Sequence, residues 1–317
     1  MTQIDKSRFE WIGSDSARRE GISRPSTTFW KDAIGRLMKN KVAVVCFFVI
    51  VLLILSCIVV PFFSPFESRE QHLGEVNKGF MTVCTDSRHE GQHHVHYFGT
   101  DNLGRDLFLR AFEGGRVSLM IAFAAVFVNL IVGLIYGGIS GYIGGAVDTI
   151  MMRIVEIVNG IPYLIVVILL MMVLPKGIFT MVVAYGITGW TGMARLVRGQ
   201  VLQLKSQEYI VAAEAMGAKS SRIIAKHLIP NALSVIIINV TLAIPSAIFT
   251  EAFLSYIGLG VPVPQPSWGV LAKGGQDVFM TYPYQLVVPA VAISLTMLSF
   301  NLLGDGLRDA FDPRLRR

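Results

Sequence analysis

The sequence predicts an all-α, polytopic membrane protein with six transmembrane helices, from its composition, its apolar runs and its charge distribution. Of the 317 residues, 53% are hydrophobic and 16% are charged, whereas a soluble chain is about one quarter charged. Six runs contain no Asp, Glu, Lys or Arg, and each approaches or exceeds the roughly 20 residues that a helix needs to cross the hydrocarbon. These runs are Val42–Phe63, Val117–Val147, Ile157–Pro175, Gly177–Ala194, Leu228–Thr250 and Val278–Gly304.

The positive charges predict the side of the membrane that each loop occupies. At most eight of the 28 Lys and Arg residues fall in residues 64–116 and at Lys176 and Lys273. Because Lys and Arg accumulate in cytoplasmic loops, we expect both termini on the cytoplasmic side. The net charge of +6 is then a topology signal and does not indicate a nucleic-acid partner. The remaining twenty Lys and Arg lie in residues 1–41, 140–153, 195–230 and 304–317.

The spans divide the chain into a lone helix and a core. The first span, 42–63, follows a polar segment, 1–41, and lacks a small-residue cleavage pattern, so we interpret it as a permanent helix. An external loop, 64–116, follows, and its irregular, polar middle predicts little fixed structure. The other five spans form a core, 117–304, which contains a cytoplasmic loop at 195–230 and precedes a cytoplasmic tail, 305–317.

Histidines and cysteines are the candidate metal ligands of the external loop. Closely spaced imidazoles suit nickel or zinc, but the sequence shows no carboxylate or thiol at convincing ligand spacing. We therefore favour a solvated loop and predict no metal and no cofactor. Cys84 is the single cysteine of this loop, and Cys46 and Cys57 lie in the first span, so no disulfide framework is expected. The five histidines are His72, His89, His93, His94 and His96.

Glycines recur every four residues in the second span, which places them on one helix face. Lipid offers no hydrophobic drive for helix association, so such a bare face lets a second helix approach closely. The residues predicted for this packing are Gly133, Gly137, Gly141 and Gly145. Prolines inside three later spans are expected to kink them or to free carbonyl groups. They are Pro162, Pro245 and Pro289.

The stretch YIVAAEAMGAKSSRIIAKHLIPN, Tyr209–Asn231, predicts a water-facing helical hairpin. Good helix formers fill residues 200–216, and Gly217 suits the left-handed residue at a helix end. A second short helix is expected over Arg222–Ile229, before Pro230 begins the next span. The exposed face of the first helix is too rich in alanine and too poor in aromatic residues to anchor in lipid. We therefore predict that it is a socket for another protein.

The chain shows no means of generating the energy for active transport. It contains no Gly-Lys pair, so the phosphate-binding loop G-x-x-x-x-G-K-[ST] is absent. We therefore predict that it is not itself an enzyme and that energy arrives from another polypeptide. An ion-coupled secondary transporter is an alternative, but it predicts internal repeats and buried ionisable residues, and neither is clear.

Polar residues inside the spans are candidates for the lining of a transport path. For each of them, a hydrogen bond between helices is the alternative role. The candidates are Asn239, Thr241, Glu251 and Asn301.

The hairpin resembles the cytoplasmic EAA loop of ABC importer permeases, whose pattern is E-A-A-x3-G-x9-I-x-L-P and whose short helix docks in a cleft of the ATP-binding subunit. With Gly217 aligned, Val211 stands in the place of the glutamate, while His227 and Ile229 replace the usual Ile and Leu. The resemblance implies an ATPase-coupling role for Val211, Ala212, Ala213, Glu214, Ala215, Met216, Gly217 and Pro230.

Four further stretches resemble the C-type permease subunit of oligopeptide and dipeptide importers. The resemblance implies a type I ABC importer permease core with an extra N-terminal helix, in a bacterial cell membrane. It also implies a homologous permease subunit, two ATP-binding subunits and an external substrate-binding protein as partners. Nickel importers share these motifs, so nickel is the alternative substrate. The stretches are HYFGTDNLGRD (96–106), GYIGGAVDTIMMR (141–153), EAFLSYIGLGVPVPQPSWG (251–269) and FNLLGDGLRDAFDPRLR (300–316).

Overall fold

The apolar runs form helices, because a helix satisfies its own backbone hydrogen bonds in lipid. The computed structural model describes residues 29–85 and 95–312. Its helices are α1 (Phe29–Lys39), α2 (Lys41–Phe63), α3 (Leu107–Ile143), α4 (Gly145–Asn159), α5 (Tyr163–Val173), α6 (Ile178–Thr188), α7 (Trp190–Lys205), α8 (Glu208–Ala215), α9 (Ser220–Ile223), α10 (Ile229–Tyr256), α11 (Trp268–Asp277) and α12 (Tyr284–Phe311). A short antiparallel pair, β1 (Thr82–Val83) and β2 (Val95–His96), lies between α2 and α3 in the sequence.

Four helices of the described residues are long and apolar enough to cross a membrane: α2, α3, α12 and the run Ser220–Tyr256 that ends with α10. Helices α4 and α5 qualify together as a fifth span that is bent by 77°, and Pro162 lies at this break as the N-cap of α5. The remaining predicted span, Gly177–Ala194, falls on α6 and the start of α7. Gly189 separates these two helices but keeps right-handed helical angles, φ −74° and ψ −23°. The total of six spans therefore stays a prediction.

Proline interrupts neither of the two later spans. Pro245 and Pro289 are buried inside α10 and α12, and each of these helices continues through its proline.

The predicted start of the second span is ten residues too late. Helix α3 begins at Leu107, and Asp106 caps it by accepting a hydrogen bond from the Leu109 backbone N–H at 2.7 Å. Arg110, which lies within the predicted loop 64–116, is buried and donates to the Ser68 carbonyl oxygen at 2.7 Å. A buried guanidinium needs such partners, and this contact was not visible in the sequence.

The predicted C-terminal tail also begins too early, because α12 continues to Phe311. Residues 305–311 are therefore helical. The rest of the predicted tail, 313–317, and residues 1–28 of the N-terminal segment lie outside the described residues.

Helix α3 packs against α7 along three of the predicted glycines. A Cβ added at Gly133 would lie 2.6 Å from Met193 Cβ, and one at Gly141 would lie 2.9 Å from the Arg198 carbonyl oxygen. A Cβ at Gly137 would overlap the carbonyl oxygen of Ala194. The two backbones are therefore closer than any side chain on these positions would allow.

The prediction that Gly145 continues this ridge is wrong. Helix α3 ends at Ile143, and Gly145 begins α4 with a positive φ of +59°. A Cβ at Gly145 would meet no atom within 4 Å, so this glycine serves the turn and not the helix contact.

The bundle has two distinct ends. The segment between α2 and α3, residues 64–106, is called the loop segment below. It contacts the start of α12, where the Tyr284 hydroxyl donates to the Lys78 carbonyl oxygen at 2.8 Å. The opposite end, called the α8 end, holds α1 and the last turn of α12, since the rings of Trp30 and Phe311 pack edge to face at 5.7 Å.

The prediction of little fixed structure in the middle of this loop is wrong for its described residues, which hold the turn Leu73–Glu75 and the strand β1. His96 is buried between two carboxylates, with Nδ1 at 2.7 Å from Asp106 Oδ1 and Nε2 at 3.2 Å from Glu75 Oε2. Burial alone would lower the pKa of His96, but Asp106 and then Glu75 raise it overall. Its ring also stacks on Phe66 at 4.4 Å. Of the other loop histidines, His72 is described, whereas His89, His93 and His94 lie outside the described residues.

We predict that Gly137→Ala destabilises the protein, because the added methyl group overlaps the α7 backbone. Overpacking of this kind costs about 1–3 kcal/mol. The matched control is Gly199→Ala on the exposed side of α7, where a Cβ meets nothing within 4 Å. The control should keep or raise the stability by up to about 1 kcal/mol, because alanine favours helix. Thermal unfolding of both variants in detergent measures the difference, and equal midpoints would contradict the α3–α7 contact.

Candidate functional site

Helix α8 is a separate short helix between α7 and α9. The sequence predicted one continuous helix over residues 200–216, but the chain turns at residues 206–207, between α7 and α8. Gly217 has the left-handed conformation that its position predicted, with φ +78°. The Ala218 N–H donates to the Ala213 carbonyl oxygen at 3.1 Å, and the Gly217 N–H donates to the Glu214 carbonyl oxygen at 2.9 Å. This is the Schellman arrangement that ends a helix.

One face of α8 packs on the bundle. Ile210 is buried in a cluster with residues of α7, α9 and α10, among them Val201, Ile223 and Ile236. Ala213 faces the same way and is only 6% exposed. The expectation that Ala213 belongs to the exposed surface is therefore wrong, and its small size serves the contact between α8 and the bundle.

The opposite face of α8, called the coupling face below, is exposed. Val211 is 55% exposed and Met216 is 82% exposed, so two large apolar side chains flank the small residues between them. The spacing of three and four residues brings the members of this face together on one side of the helix. The coupling face consists of Glu208, Val211, Ala212, Ala215 and Met216.

Hydrogen bonds hold α8 to the end of α3. The Tyr142 hydroxyl donates to Glu214 Oε1 at 3.0 Å. Lys205 Nζ donates to the Tyr142 carbonyl oxygen at 2.6 Å and lies 5.1 Å from the centre of the Tyr142 ring. Glu214 was predicted as a coupling residue, and the structure uses it to tie α8 to α3.

An ion pair that sequence reasoning missed joins α4 to α7 at this end. Arg198 Nε and Nη2 donate to the two oxygens of Asp148, both at 2.5 Å. The Ser140 hydroxyl of α3 donates to the same carboxylate at 2.5 Å. Bidentate pairs of this kind fix both distance and orientation. Asp148 lies in the stretch GYIGGAVDTIMMR, and its partner, 50 residues later, could not be identified from spacing alone.

The second helix of the predicted hairpin is the beginning of a span. Helix α9, a π-helical turn at residues 224–228 and α10 form one run of 37 residues, Ser220–Tyr256. Pro230 is the second residue of α10 and directly follows the π-helical turn. Because the helical run is continuous, its missing N–H leaves one carbonyl group of the preceding turn without a helical donor. Pro230 lies on α10 and borders a cavity at the α8 end, so it is not part of the exposed face of α8.

The four candidate path residues do not form one site. Asn239 lines a cavity of about 770 Å³ at the α8 end, together with Asn231, Ser234 and Arg308. Its side chain also donates to the Val235 carbonyl oxygen at 2.9 Å.

Thr241 and Asn301 have different surroundings from Asn239. The Thr241 hydroxyl donates to the Ile237 carbonyl oxygen of its own helix at 2.9 Å. Asn301 lies on an exposed face of α12. Neither residue lines the cavity that contains Asn239.

Glu251 is 0% exposed, so the hypothesis that it lines an open path is wrong in this structure. Its Oε1 accepts a hydrogen bond from the Ser255 hydroxyl at 2.7 Å, and the hydroxyls of Ser118 and Ser267 lie beside the same carboxyl group. The twelve residues from Asn239 to Glu251 correspond to about 18 Å along a helix. Glu251 therefore serves the contact of α10 with α3 and with the segment before α11.

Two family descriptions match this chain. One, "Binding-protein-dependent transport system inner membrane component", matches residues 129–317. The other, "N-terminal TM domain of oligopeptide transport permease C", matches residues 28–79. The first therefore covers most of the helical core, and the second covers α1, α2 and the start of the loop segment.

Three curated relatives are similar over nearly their whole lengths. The oligopeptide transport system permease protein OppC of Bacillus subtilis is 49% identical, with 100% of each chain covered. The dipeptide transport system permease protein DppC of Bacillus subtilis is 47% identical, with 94% of this chain and 90% of the relative covered. The oligopeptide transport system permease protein OppC of Escherichia coli K12 is 42% identical, with 99% of each chain covered.

Proposed function

Because the chain belongs to the family of binding-protein-dependent transport system inner membrane components, we propose that it is a permease subunit of an ATP-driven importer of oligopeptides or dipeptides. The three relatives described above are named for oligopeptide or dipeptide transport, and they match the loop segment and the helical core alike. The chain would form one half of the translocation path across a bacterial cell membrane.

The coupling face of α8 is the observation that carries this proposal. Val211 and Met216 expose apolar surface to water, while Ala212 and Ala215 between them leave room for close approach. Exposed apolar patches beside polar residues are typical of protein-binding surfaces. Within the described residues, no other part of the chain covers this face. We propose that an ATP-binding subunit binds it.

The contacts under α8 support a mechanical role for this interaction. Ile210 fixes α8 to the buried cluster of α7 and α10, and Tyr142 fixes α8 to α3. A force on α8 would therefore move these three helices together. ATP hydrolysis on two partner subunits would close them, displace α8 and shift the bundle between inward-open and outward-open states.

The arrangement of the two ends supports the sidedness that the charge pattern predicts. Helix α1 packs on the end of α12, and both border the cavity beside Pro230 at the start of α10. Helix α8 contacts α7 and α9, and α9 leads into α10. We propose that the α8 end is cytoplasmic, together with both termini, and that an external substrate-binding protein delivers substrate at the loop-segment end. The cavity beside Asn239 would be the cytoplasmic part of this chain's half of the path, and a homologous permease subunit would supply the other half.

Uptake by a deletion strain tests the substrate. We expect deletion of the gene to abolish accumulation of a labelled oligopeptide or dipeptide, and the intact gene to restore it, while accumulation of radiolabelled nickel stays unchanged. No feature of the described residues favours nickel as the cargo. Loss of nickel uptake with normal peptide uptake would contradict the peptide assignment.

Substitution of the coupling face tests the proposed contact with the ATP-binding subunits. We predict that Ala212→Arg reduces the co-purified ATP-binding subunits and the peptide uptake by at least about tenfold, because a bulky charge in an interface costs more than 1.4 kcal/mol. The matched control is Ala146→Arg, an exposed alanine at the start of α4. The control should retain both properties. Undiminished uptake by the Ala212→Arg variant would refute the contact.

A further inference from the structure

The loop segment brings together three side chains that are typical metal ligands. His72, Glu75 and Cys84 each offer one donor atom, and the three donors lie within 4.8 Å of one another. They are buried, with 1%, 2% and 9% of their surfaces exposed. Sequence reasoning missed this cluster because Cys84 follows Glu75 by nine residues, and only the turn at Leu73–Glu75 and the strand β1 bring them together.

We propose that His72, Glu75 and Cys84 bind a structural Zn²⁺ ion. Imidazole nitrogen, carboxylate oxygen and thiolate sulfur are the three ligand types of zinc, and tetrahedral bonds of 2.0–2.3 Å place such donors about 3.5 Å apart. The present separations therefore require a closure of little more than an ångström. A water molecule or Glu70, whose Oε2 lies 3.8 Å from His72 Nε2, would complete the coordination.

The residues around the cluster are arranged as an outer shell. The Thr85 hydroxyl donates to Glu75 Oε1 at 2.9 Å, and His96 contacts Glu75 Oε2 and is held in turn by Asp106. Such outer partners orient metal ligands and sharpen their affinity. Phe66 packs against the rings of both His72 and His96 and excludes water from one side.

The position of the cluster indicates what the ion would do. Asp106 caps α3 and also holds His96 beside Glu75. The metal would therefore connect residues 72–84, through Glu75 and His96, to the start of α3. A bound metal stabilises the folded form by mass action. This role is structural and does not require contact with the transported substrate, since none of the three ligands lines the cavity beside Asn239.

Cobalt binding to the full-length chain tests the site. After removal of metal with a chelator, titration with Co²⁺ should give one bound ion per chain and a thiolate-to-cobalt charge-transfer band, because cobalt replaces zinc at cysteine-containing sites. Zn²⁺ should displace the cobalt, remove the band and raise the thermal unfolding midpoint. A folded wild-type chain that shows no such band would overturn the proposal.

Variants of the three cysteines give the matched control. Cys84→Ala should abolish the band and weaken zinc binding by more than about tenfold, whereas Cys46→Ala and Cys57→Ala, in the first span, should leave both unchanged. If Cys84→Ala does not fold, Glu75→Gln serves as a second variant, with a tenfold or greater loss expected. Unchanged zinc affinity in a folded Cys84→Ala or Glu75→Gln chain would overturn the proposal.

Discussion

The close contact between α3 and α7 is the constraint on which the rest of the structure depends. Apolar helices gain little by leaving lipid for one another, so they associate only where small residues let the backbones meet. Gly133, Gly137 and Gly141 provide that approach. The contact brings Arg198 to Asp148, and it places Val201 under α8. The surface proposed to receive the ATP-binding subunit is thus fixed to the longest helix of the bundle.

Features with a short repeat could be predicted from the sequence, whereas features that depend on distant partners could not. Apolar runs and four-residue glycine spacing repeat within one helix, so four long spans and three of the four ridge glycines are visible in the sequence. The pair Asp148–Arg198 joins residues 50 positions apart, and no local pattern specifies it. The alanines of α8 are chemically identical, so the sequence does not distinguish the buried Ala213 from the exposed Ala212 and Ala215. Only the packing of α8 on the bundle does so. Gly145 has the correct spacing, but the helix ends before it.

The loop segment differs from the spans in how it is stabilised. Its polar composition predicted little fixed structure. That prediction failed because composition does not reveal that buried carboxylates and an imidazole compensate one another's charges. His96 between Asp106 and Glu75 satisfies both acids, and a buried network of this kind is stable only when it is nearly complete. Glu251 is buried at a helix junction and accepts a hydrogen bond from the Ser255 hydroxyl, while Asn239 lines a cavity at the other end of α10.

Reconstitution into vesicles tests most directly the central claim that mechanical work enters through α8 from another polypeptide. Peptide accumulation against a gradient would be measured with the chain and its permease partner alone, and again with the ATP-binding subunits and ATP present. The account predicts uphill accumulation only in the second case. Uphill accumulation by the membrane chains without any nucleotide-hydrolysing partner would contradict it.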